Sequence, residues 1–76
     1  MTRASPGEVR LGTVAELDEA RGLGEVREPD GHAWSFHCTA ISDGTRRIEA
    51  GTPVAFCLVP GHLGRMEAGE VTPLGP

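Results

Sequence analysis

Three histidines, two cysteines and seven arginines, with no lysine, carry most of the chemical capacity of this 76-residue chain, and their spacing limits what they do. Cys38, Cys57, His32, His37 and His62 are ligand types for zinc, yet no C-x-x-C or H-x-x-x-H spacing gathers them, so no metal site is expected. The same lack of convergence argues against a cysteine–histidine nucleophile. Gly22-Leu23-Gly24 lacks the following helix and the lysine of a phosphate loop. No catalysis and no cofactor are expected. Contact chemistry remains. The His37 ring is able to stack on a base, Arg21 beside Gly22 and Gly24 suits a phosphate, and Arg46-Arg47 is the only basic doublet. Each of these also fits an ordinary solvated side chain.

The elements that would hold these residues read as strands. In Trp34-Ser35-Phe36-His37-Cys38, period-2 alternation puts Trp34, Phe36 and Cys38 on a core side and Ser35 and His37 on the open side. By the same parity Cys38 is a small buried hydrophobe facing away from His37. A second run places Val54, Phe56 and Leu58 inward, with the small Ala55 and Cys57 on the reverse. Between Val26 and Trp34, Pro29-Asp30-Gly31 supplies a preset turn dihedral, a side chain that bonds its own backbone and a residue that accepts positive φ. This predicts a hairpin joining 23–28 to 33–38. Further turns are expected at Asp43-Gly44, Ala50-Gly51, Pro60-Gly61 and Leu63-Gly64, with His62 in a loop before a closing strand near 68–72. The count is five strands. One stretch disagrees: Ala15 to Arg21 is rich in helix formers, and propensity alone predicts a helical turn there.

Size and charge narrow the class. One domain over 9–74 is expected, preceded by a flexible leader over 1–8. A net charge of −4 and a pI near 5.2 repel a polyanion unless the few cations share one face. Two cysteines without an apolar signal segment point to a reducing cytoplasmic setting, and no apolar run is long enough to span a membrane.

Across roughly residues 10–74 the chain resembles the cold-shock domain family. The resemblance rests on Gly12-x-Val14, Arg21-Gly22-x-Gly24, His37-x-Thr39-Ala40-Ile41 and Val71-Thr72-Pro73-Leu74, which fall in family order. It implies an all-β, five-stranded antiparallel barrel of the oligonucleotide-binding type, an OB-fold. It also implies an open face that binds single-stranded RNA or DNA through aromatics on the first three strands.

The chain departs from that pattern where ligand would touch. A Trp-Phe pair of the family is Glu16-Leu17 here, a lysine before it is Ala15, and two phenylalanines are Leu23 and Glu25. Ser35 and Cys38 replace two more, and only His37 is kept as a stacking residue. Each stacked base contributes about 1–3 kcal/mol, whereas micromolar binding totals about −8 kcal/mol. Family-mode binding should therefore be nearly lost, and Glu16 and Glu25 oppose phosphates further. Two readings follow. One is a weak or altered nucleic-acid-binding module using His37, Arg21, Leu23, Arg46 and Arg47. The other is a protein-interaction or regulatory module using Glu16, Leu17, Leu23 and Glu25, which suits a basic partner. A monomer or weak dimer is expected in either case.

Overall fold

The computed structural model describes residues 8–44, 47–61 and 64–74. Among the described residues five strands run β1 (Val9–Asp18), β2 (Leu23–Arg27), β3 (Ala33–His37), β4 (Pro53–Pro60) and β5 (Met66–Pro73), with a short 3-10 turn at Cys38–Ala40. They form one sheet in the order β3-β2-β1-β4-β5, antiparallel at every ladder. The all-β class and the strand count match expectation. So does the β2–β3 hairpin, where the Glu28 N–H donates to the His32 carbonyl at 2.8 Å and Gly31 takes φ of 96°.

The sheet is not closed into a barrel by a ladder of hydrogen bonds. The segment that follows β3 meets β5 at an isolated parallel bridge, Ile41 to Val71, where the Ser42 N–H donates to the Val71 carbonyl at 2.8 Å. Inside the curved sheet, Phe36, Phe56, Val14, Val26, Val54 and Val71 are fully buried. Each such side chain contributes about 1.5–3 kcal/mol by leaving water.

Three expectations are corrected. Residues 15–18 belong to β1, and the expected helical turn is confined to 18–22, where the Gly22 N–H donates to the Asp18 carbonyl at 2.8 Å. Pairing with β2 satisfies the backbone of this segment, and a seven-residue helix has no comparable compensation. Leu17 faces the core because β1 carries a bulge. Val14 and Glu16 oppose the adjacent residues Val26 and Glu25, so Ala15 is an extra residue and the alternation flips after it. Leu17 thus packs against the core cluster, leaving Glu16 and Asp18 outward. Cys38 is likewise no core residue. The strand ends at His37, the chain turns into the 3-10 segment, and the Cys38 thiol is half-buried with its Sγ 3.9 Å from His37 Nδ1. Strand parity does not apply past the end of a strand.

On β4, Cys57 lies outside the core cluster, between Val9 and Gly69 in register, yet is only 8% exposed. Burial, with Glu70 nearby, pushes its thiol pKa up. The leader expected over 1–8 lies outside the described residues apart from Glu8, as do Arg46 and His62.

Candidate ligand face on β1 to β3

Register fixes which side chains share the outer face. Three rows cross β1, β2 and β3 in turn: Thr13, Arg27 and Ala33; Glu16, Glu25 and Ser35; Asp18, Leu23 and His37. Paired residues in a sheet point to the same side. The intervening rows, Val14-Val26-Trp34 and Leu17-Gly24-Phe36, point inward. Gly24 is required there, because a Cβ at this position would sit 2.5 Å from the Phe36 ring and 2.9 Å from the Glu16 carbonyl.

Of the residues singled out from sequence, the structure gathers Arg21, Leu23 and His37 at one end of the face. Leu23 and His37 are cross-strand partners, and Leu23 is 44% exposed. Arg21 lies in the β1–β2 turn, where its backbone N–H donates to Asp18 Oδ1 at 3.2 Å. The next residue, Gly22, adopts φ of 70°, and its carbonyl accepts from the Cys38 N–H at 2.8 Å, tying this turn to the end of β3. The His37 ring is exposed and held: Nδ1 accepts from the Thr39 backbone N–H at 3.2 Å, with the Thr39 hydroxyl 2.9 Å away. With Nδ1 accepting, the proton of the neutral ring sits on Nε2.

Arg47 stands elsewhere. It reaches Glu19 on the β1–β2 turn, with Nη2 3.4 Å from Oε1, and does not join the three-row face.

The charge on the face is acidic. Glu16, Asp18 and Glu25 stand in the rows against Arg27 alone, and Arg27 is paired with Glu25 at 3.2 Å. Glu16 and Glu25 are direct cross-strand partners. Like charges in that arrangement are destabilising.

The inner end of the hairpin treats a carboxylate differently. Arg10 on β1 donates to Glu28 through both Nε, at 2.9 Å, and Nη2, at 3.1 Å, while the Trp34 indole N–H donates to Glu28 Oε1 at 2.6 Å. His32 stacks on Trp34 with ring centres 5.5 Å apart. Burial pushes the Glu28 carboxyl pKa up, but the Arg10 and Trp34 hydrogen bonds outweigh it and leave the pKa below its ordinary value. The hydrogen bond to Glu28 raises that of Arg10 in turn. Sequence reasoning missed this cluster. Its only signal was an opposite-charge pair 18 residues apart, which spacing alone does not select.

Among the described residues, no group of three His, Cys, Asp or Glu side chains is arranged to hold a metal ion. No helix among them is long and apolar enough to cross a membrane. Neither a scan against protein-family models nor a search of curated proteins gives a match to the chain.

Proposed function

We propose that the chain is a non-catalytic binding module on a partly open, five-stranded barrel of the oligonucleotide-binding type, similar to a cold-shock domain. Its ligand in this reading is a cationic segment of another polypeptide. The strand order, with the segment after β3 bridged to β5 at Ile41–Val71, fits a partly open five-stranded barrel. Cys38 and Cys57 are not joined in a disulfide, which fits a reducing compartment, the cytoplasm.

The observation that carries the ligand assignment is the row composition of the outer face: Glu16, Asp18 and Glu25 against an ion-paired Arg27. A nucleic-acid strand brings a phosphate per nucleotide, and approach to such a surface forfeits counterion release and adds like-charge repulsion. A lysine- or arginine-bearing segment has the opposite balance. It would relieve the Glu16–Glu25 opposition, and the exposed Leu23 beside it offers an apolar contact.

A second reading, weak single-stranded RNA or DNA binding, draws on one local observation. Leu23 and His37 pair at one end of the face next to the turn that holds Arg21, and the His37 ring is fixed in orientation by Thr39. One stacked base there contributes about 1–3 kcal/mol, far short of about −8 kcal/mol for micromolar affinity.

The two are separated by titrating isotope-labelled protein with a short lysine-rich peptide and, in parallel, with short single-stranded DNA and RNA at two salt concentrations. Peptide-induced NMR shifts at Glu16, Glu25 and Ser35 support the first reading. Salt-sensitive oligonucleotide shifts at Leu23, Glu25 and His37, with no response to peptide, would replace it by the second.

A further inference from the structure

At the β1 end of the acidic face the surface drops into an open groove of ≈ 1060 Å³. Leu17 and Ile48, both half-buried against the core, supply its apolar floor. Glu16 and Glu19 line it from β1 and the β1–β2 turn, and Asp43 and Glu49 from the segment between β3 and β4. Among the described lining residues, these four carboxylates stand against one guanidinium, that of Arg47.

We propose that this groove is the primary docking site for an extended polypeptide segment in which lysine or arginine alternates with an aliphatic residue. The inference rests on the reading of the outer face as a surface for a cationic partner, and it locates and narrows the ligand. Three observations carry it. The charge of the walls is complementary to a cationic guest. The floor accepts apolar side chains, and a strand presents alternate residues to opposite sides, so one side of the guest fills the floor while its cations meet the walls. The groove also already accommodates a guanidinium on its rim: Arg47 Nη2 lies 3.4 Å from Glu19 Oε1, with both side chains largely exposed. An arginine of a partner would repeat that contact against Glu16 or Glu49. A nucleic-acid strand meets the opposite field here and is disfavoured.

The test uses the full chain and a fluorescent five-residue peptide of alternating lysine and leucine, with glycine replacing leucine in a control peptide. Glu49→Arg changes the groove wall but not the three-row face, and Glu25→Arg changes the face but not the groove. Circular dichroism confirms that each variant is folded. Glu49→Arg should weaken peptide binding about tenfold, as expected for reversing a rim charge. The glycine peptide should bind about tenfold more weakly than the leucine peptide because its apolar contact is lost. Weakening by Glu25→Arg with no effect of Glu49→Arg overturns the groove and leaves the acidic-face reading standing. Absence of peptide binding to the parent protein overturns both, as does binding of heptathymidylate in preference to the peptide.

Discussion

Glu28 and Glu16 are the same residue type on adjacent strands or their ends, and the structure uses them in opposite ways. Glu28 is half-buried, clamped by two nitrogens of Arg10 and by the Trp34 indole, so its charge is fully partnered. Glu16 is exposed and faces Glu25 across the β1–β2 ladder. The first arrangement secures the end of a hairpin. The second works against the sheet locally, and a protein keeps such a cost most readily where a ligand relieves it. The difference teaches that the −4 net charge of the chain is placed unevenly, with the stabilising acid at the hairpin and Glu16, Asp18 and Glu25 on the outer face against Arg27 alone.

The largest test of this contrast is Glu28→Ala. Removing one partner of a half-buried ion pair strands the other and the indole N–H, and stability should fall by about 3 kcal/mol. Chemical denaturation measures it, and a loss below about 0.5 kcal/mol, the size usual for a surface site, would erase the distinction between the two glutamates. Next in size is Gly24→Ala, between the two regions. The added Cβ meets the buried Phe36 ring, and a loss of about 2 kcal/mol is expected in the same assay.

Acid should act through the hairpin. Hydrogen bonds hold the Glu28 pKa below its ordinary 4.5, so near that pH the unfolded chain binds more protons than the folded one. The stability Glu28 contributes is therefore present above about pH 4.5 and lost as pH falls through its lower folded value. Asp30 is shifted in the same direction, chiefly by the His32 backbone N–H. Thermal midpoints recorded from pH 6 to pH 3 should decline in the parent protein and decline less in Glu28→Ala. Equal slopes would remove Glu28 from the account of acid sensitivity. The smallest effect has the opposite sign. Glu16→Gln relieves a like-charge pair and should raise stability by about 0.5 kcal/mol at low salt, fading as salt screens the face.

Much of this fold was legible in the sequence. Pro29-Asp30-Gly31 announced the β2–β3 hairpin through turn chemistry that acts within a few residues, and the Val54–Leu58 alternation announced β4. What misled was local too. The helix formers of 15–18 lost to pairing with β2, and the bulge at Ala15 turns Leu17, which the resemblance set on the ligand face, toward the core. A period-2 pattern carries no mark of an inserted residue. Cys38 failed for a related reason, since alternation was extended one residue past the end of β3. At the candidate site, Glu16, Leu23, Glu25 and His37 were placed outward from sequence and are found there. The groove was not foreseen, because it joins Leu17 and Glu19 to Ile48 and Glu49 across about thirty residues of chain, and contacts of that span leave no periodic trace.

The most direct test is the affinity of the parent protein and of the double variant Glu16→Lys with Glu25→Lys for two probes, heptathymidylate and the lysine–leucine peptide, at low salt. The parent should prefer the peptide by at least about tenfold, and the double variant should reverse that order as the face changes sign. Tight binding of heptathymidylate by the parent, unchanged by the double substitution, would contradict the assignment of the outer face to a cationic partner.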